Sequence, residues 1–112
     1  MKLLKEEIRK FVKDRDWEKY HSPKNLAMGL SVEAAELLEI FLWLTEEESR
    51  GLTDDQLSHL KEEIGDIMIY LVNLADKYNL DPVHCAKEKI KLNRDKYPAH
   101  VVKGSAKKYS EY

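Results

Sequence analysis

Two pairs of acids carry the chemistry this chain could do: Glu33 and Glu36 in Glu33-Ala-Ala-Glu36, and Glu63 and Asp66 in Glu63-Ile-Gly-Asp66. Residues three apart on a helix share a face, so each pair presents two carboxylates side by side. They are not part of a charge run. Val32, Ala34, Ala35, Leu37 and Leu38 surround the first pair and Ile64, Ile67, Met68 and Ile69 the second. Anions in such surroundings are disfavoured by desolvation and by mutual repulsion unless a positive charge sits among them. A divalent cation meets that need. Four hard oxygen donors with no Cys or His beside them suit Mg²⁺, with Mn²⁺ as the alternative, and argue against Zn²⁺.

The elements that must position these acids are helical. At 112 residues, with 43% apolar and 36% charged residues and only four glycines and three prolines, the chain fits one all-α domain of long helices with charged outer faces. We read one domain over residues 1–98 and a mobile, polar, basic tail over residues 99–112. A formal net charge of −2, with both signs mixed along the chain, excludes the basic field that holds a nucleic-acid polymer. A small charged ligand remains compatible. The lone Cys85 can form no internal disulfide, and neither a signal-peptide core nor an apolar run of ~20 residues is present. A cytoplasmic protein without membrane association is expected.

Apolar residues at Leu4, Ile8, Phe11 and Val12 predict a first helix over about Lys2 to Tyr20. Ser22 and Pro23 predict a cap and first position for the second, whose apolar face reads Leu26, Leu30, Leu37, Phe41 and Leu44. Gly29 is expected to permit a close helix contact. Thr45 to Gly51 reads as a polar connector, and Thr53-Asp-Asp-Gln56 as a capping box opening a third helix to Tyr78. Leu57, Leu60, Ile64, Ile67, Leu71 and Leu74 form its expected core face; Glu63, Asp66, Tyr70 and Asn73 form a continuous polar stripe. Asp81 and Pro82 start a fourth helix to Lys96, and Pro98 stops it. A third helix of about 25 residues, nearly 40 Å, is longer than one small bundle can cover. A homo-oligomer of at least two chains is expected, in which helices of two chains pack together and complete the four-helix bundle.

The pattern of Glu-x-x-Glu followed after about 26 residues by Glu-x-x-Asp resembles the motif of the MazG-like all-α nucleoside triphosphate pyrophosphohydrolases. Arg15-Asp16-Trp17-Glu18, His21, Pro23, Asn25-Leu26, Trp43, Ile69-Tyr70-Leu71, Lys89 and Asn93-Arg94 with Tyr97-Pro98 resemble its dCTP pyrophosphatase branch in order and spacing. The resemblance implies hydrolysis of a (deoxy)nucleoside triphosphate, dCTP-like or a modified pyrimidine, to monophosphate and pyrophosphate in nucleotide-pool housekeeping. It implies that Glu33, Glu36, Glu63 and Asp66 hold Mg²⁺ and that Trp17, His21, Trp43 and Tyr70 help to hold the nucleotide. Lys89, Asn93 and Arg94 are the implied partners of the triphosphate, Glu36 is the candidate proton acceptor, and the implied assembly is a tetramer built as a dimer of dimers, with a dimer as the alternative. The related enzymes carry a substrate-contacting histidine at the position held here by Ile8.

Two readings compete with hydrolysis. A helical regulatory module could hold nucleotide and metal without turnover, although all four acids are intact. A carboxylate-bridged di-iron bundle would use Glu-x-x-His pairs, and neither acid pair has one. His59, His84, His100 and Cys85 show no ligand spacing and read as structural or exposed.

Overall fold

The computed structural model describes residues 2–102, and every regular element in them is helical. α1 spans Lys2–Asp14, α2 Pro23–Phe41, α3 Glu46–Ser49, α4 Asp54–Asp76, α5 Pro82–Lys96 and α6 Ala99–Val102, with a 3₁₀ turn at Glu18–Tyr20. The all-α class and the four long helices are those expected. Their starts are set by the side chains that the sequence singles out. The Ser22 hydroxyl accepts from the Asn25 amide at 3.1 Å, Thr53 and Gln56 close a capping box at 3.2 and 2.9 Å, and Asp81 accepts from the Val83 amide at 2.9 Å. Each satisfies a helix-end donor that would otherwise have no partner.

Three boundaries differ from expectation. The first helix ends at Asp14, not near Tyr20, because Asp16 adopts φ 55°, a left-handed conformation that Asp tolerates and a helix cannot continue through. Thr45 to Gly51 is not an open connector: Thr45 and Glu48 form a second capping box, and the acids at the start of α3 favour its helix dipole. Residues 99–102, placed in the expected tail, form α6, while the rest of that tail, from 103 on, lies outside the described residues.

α2 and α4 make the main helix pair. They run antiparallel, with Glu33 opposite Glu63 and Gly29 opposite Tyr70. The contact expected at Gly29 is present: a Cβ there would lie 2.7 Å from Tyr70 Cζ, so only glycine lets the ring rest on the α2 backbone. α1 packs on the C-terminal half of α4 through Ile8, Val12 and Val72, and Arg9 donates two hydrogen bonds of 2.6 Å to the Asp76 carboxylate.

The expected core face of α4 is only half covered. Leu60, Ile67 and Leu74 are half-buried, but Leu57, Ile64 and Leu71, assigned to the same side, are 43%, 53% and 38% exposed, whereas Glu63 and Asn73 of the polar stripe are only 6% and 9% exposed and Asp66 of that stripe is open. Within one chain, therefore, part of the apolar face lacks cover while two polar residues are buried. The radius of gyration, 17.6 Å, reflects that openness, since about 13 Å is usual for a compact domain of this length. Among the described residues no helix is long and apolar enough to cross a membrane.

Candidate functional site

The antiparallel pairing of α2 and α4 brings Glu33 and Glu36, one turn apart on α2, against Glu63 of α4. One carboxylate oxygen from each lies within 4.8 Å of the others. Glu33 Oε2 and Glu63 Oε2 are fully enclosed and have no hydrogen-bond partner. Acceptors that face acceptors with no donor between them need a proton or a cation. Without a cation the Glu33 carboxyl is pushed up to about 7, first by burial, then by hydrogen bonding with Glu63 and Glu36 and by the charges of Glu36 and Asp66. Asp66 is close enough to act on Glu33 electrostatically, but it is exposed and stands outside the tight group of three. The oxygens are hard donors of the kind that Mg²⁺ and Mn²⁺ take, and the two orphaned buried atoms are where such an ion would be held.

His59 lies one turn before Glu63, its Nε2 3.6 Å from Glu63 Oε1. That exceeds a hydrogen-bond distance. His59 is exposed, as read from the sequence, and is not one of the three residues of the tight group.

Beside the acids a cleft of about 450 Å³ opens between α1, α2 and α4, with Glu33 and Asp66 among its lining and Trp17, His21, Tyr70 and Asn73 around the rest. The turn after α1 places two of these. The left-handed Asp16 lets the Trp17 amide donate back to the Val12 carbonyl at 3.0 Å, and the indole then meets Phe11 edge to face, 5.8 Å between centroids. Arg15 caps the other side of that pair, its guanidinium carbon 3.7 Å from the Phe11 centroid. The 3₁₀ turn ends at His21, whose amide donates to the Glu18 carbonyl at 3.1 Å, and the Asn25 side chain holds the corner by donating to the Tyr20 carbonyl at 3.1 Å. His21 Nδ1 and Asn73 Nδ2 are 3.2 Å apart. Burial first, and the charge of Lys77 second, lower the His21 pKa, so the ring is neutral at pH 7.

Of the expected nucleotide contacts, Trp17, His21 and Tyr70 line this cleft. Trp43, beyond the end of α2, is 88% exposed and does not line it, nor do Lys89, Asn93 and Arg94 on α5. The antiparallel pairing accounts for Trp43, because it and Tyr70 leave the acid cluster in opposite directions. Asn73 was legible in the sequence as the far end of the α4 stripe, but its burial was not.

Three comparisons with known proteins bear on this arrangement. Residues 29–112 match the model of the MazG-like family. The chain is 40% identical over 103 residues to dCTP pyrophosphatase 1 of Homo sapiens and 38% identical to that of Mus musculus, in each case over 90% of this chain and 61% of the other. It thus spans about three-fifths of the length of the curated relatives it matches. A crystal structure of a pyrophosphatase from Archaeoglobus fulgidus superposes with a TM-score of 0.82 at 41% identity, covering 88% of this chain and 92% of that one.

Proposed function

The chain belongs to the MazG-like family, and from that premise we propose that it hydrolyses (deoxy)nucleoside triphosphates to the monophosphate and pyrophosphate with Mg²⁺ as cofactor, taking a dCTP-like or modified pyrimidine substrate. The observation that carries this reading is the meeting of three carboxylates, two with orphaned buried oxygens, at one side of a cleft whose other walls are aromatic and hydrogen-bonding. The relatives named as dCTP pyrophosphatases and the pyrophosphatase of similar fold support it.

Glu33, Glu36 and Glu63 would hold the ion, with Asp66 completing the set once the triphosphate is bound. A bound ion would supply neutralising charge for the phosphate oxygens as the α-phosphorus is attacked. The protein's own part is positioning. Trp17 and Tyr70 present aromatic surface for the nucleoside, and the depth of Glu63 keeps one carboxylate fixed while the more open Asp66 can adjust. Glu36 is assigned as acceptor of the water proton. Trp43 and the cations Lys89 and Arg94, all outside the cleft, serve the site of a second copy, which the uncovered apolar face of α4 would recruit. Sedimentation equilibrium should therefore find at least two chains at micromolar concentration.

The test is a pyrophosphate-release screen over standard and C5-modified nucleotides with Mg²⁺, on the wild type, Glu36→Gln and Asp66→Asn. Each substitution keeps side-chain volume and removes a charge, so turnover should fall by at least a hundredfold with the helical circular dichroism unchanged. Near-normal turnover in either variant would remove that acid from the mechanism. Nucleotide binding by the wild type with no pyrophosphate release would favour a binding module instead.

A further inference from the structure

Asn73 is the one amide buried in the cleft wall, 9% exposed at the far end of the stripe that begins with Glu63 and Asp66. Seven residues of α4 separate it from Asp66, a rise of about 10 Å, which is the scale of a nucleoside between its phosphate and the far edge of its base. A buried carboxamide is costly unless its hydrogen bonds are made. One is made within the fold, to His21 Nδ1 at 3.2 Å, and among the described residues no protein group bonds its Oδ1. In the tautomer with the proton on Nε2, His21 Nδ1 accepts, and the Asn73 amino group donates to it. The rest of the carboxamide, Oδ1 and the second N–H, is an acceptor beside a donor. The cleft's other lining includes the apolar Ile8, Leu26 and Ile69, with Glu7 as a further charged group.

We propose that Asn73 is the specificity-determining residue of the cleft, reading the base by accepting from an exocyclic amino group and donating to the adjacent ring nitrogen, with His21 as the positioning residue that sets the amide's orientation. This rests on the nucleotide hydrolase reading above and names what selects the substrate. The amino-bearing edge is found in cytosine and in adenine. Uracil and hypoxanthine present a carbonyl beside an N–H, the reverse pattern, and could pair only if the amide flipped its oxygen towards His21 and the ring moved its proton to Nδ1 to meet it. Without that coupled change a polar group is left unpaired, which is what makes such a site reject the wrong partner.

The test measures binding by calorimetry with Ca²⁺ in place of Mg²⁺, using dCTP against dUTP and dATP against dITP, each pair differing at the atoms Asn73 would read. The first pair shows whether the amino group is recognised on a pyrimidine, the second whether it is recognised on a purine. Wild type should bind the amino member of at least one pair tenfold or more tightly, about 1.4 kcal/mol. Asn73→Ala, which removes the amide, and the isosteric Asn73→Asp, which removes the N–H donor, should both bring that ratio below threefold. Unfolding curves confirm that the variants fold, and the wild-type ratio is read on the unaltered chain. No preference in wild type, no nucleotide binding, or a ratio unchanged in a folded variant would overturn the assignment. Pyrophosphate release with Mg²⁺ is measured in parallel. Turnover without amino preference refutes the role of Asn73 alone, and amino preference without turnover refutes the hydrolase reading alone.

Discussion

Two glycines sit inside long helices, and the structure assigns them opposite responses to the same substitution. Glycine in a helix interior is about 1 kcal/mol less favourable than alanine, so alanine should stabilise wherever its Cβ has room. Gly65 of α4 has that room, with nothing within 4 Å of the added carbon. Gly65→Ala should therefore gain about 1 kcal/mol. At Gly29 the added carbon would lie 2.7 Å from Tyr70 Cζ and 3.0 Å from Cδ1. Overpacking of this kind costs roughly 1–3 kcal/mol, which offsets the helical gain and leaves a net loss of about 0–2 kcal/mol. The two variants should thus differ by about 1–3 kcal/mol, or roughly 4–12 °C in Tm for a chain of this size. The ring has one escape, which is to swing off α2 into the cleft, and that would trade the stability loss for weaker nucleotide binding. Thermal unfolding at fixed protein concentration, paired with dCTP titration in Ca²⁺, reads both. If Gly29→Ala matched Gly65→Ala in Tm and bound nucleotide as wild type does, the close seating of Tyr70 on α2 would be refuted.

Glu33 has a folded-state pKa raised from 4.5 to about 7, so the folded chain binds more protons than the unfolded one between those values, and metal-free stability should fall as pH rises across that window; pH-dependent unfolding in EDTA checks this, and Glu33→Gln should flatten the slope. At neutral pH, Mg²⁺ at ten times its Kd should add about 1.4 kcal/mol, and Glu33→Gln/Glu63→Gln should respond less, an equal response meaning that the ion acts elsewhere. Asp76 behaves oppositely: hydrogen bonding from Arg9 lowers its pKa despite its burial, so its contribution is present above the usual carboxylate range and lost as pH falls through the folded-state value. Asp76→Asn should remove that acid-side loss and loosen α1, read by hydrogen exchange in Lys2–Asp14. Ile64→Lys, on the uncovered face of α4, should shift the sedimentation equilibrium towards monomer without lowering helix content.

What could be read from the sequence divides along physical lines. Helix starts were legible because a cap is a local device: Ser22, Thr53 and Asp81 each bond an amide two or three residues away, and no distant contact is needed to place them. The early end of α1 was not legible, since apolar spacing says nothing of a left-handed Asp16, and α3 was missed because its acids read as a solvated connector until the Thr45–Glu48 box was seen to close. Glu33 and Glu36 sit side by side as their three-residue offset predicts, but their meeting with Glu63, and the position of Asp66 outside the group, depend on how α2 and α4 pair, which spacing does not encode. Burial is another matter. Periodicity identifies which α4 residues share a face but not how far a single chain covers it, and here Glu63 and Asn73 go inward and Leu60, Ile67 and Leu74 are half-buried, while Leu57, Ile64 and Leu71 stay open. The burial of those two polar residues gives the site its character. An acid and an amide set inside by the helix pair are costly unless partnered, and the groups with no protein partner are Glu63 Oε2, fully enclosed, and Asn73 Oδ1, which is not enclosed and so can be reached from the cleft. A metal-bound triphosphate joined to a base meets both demands with one molecule.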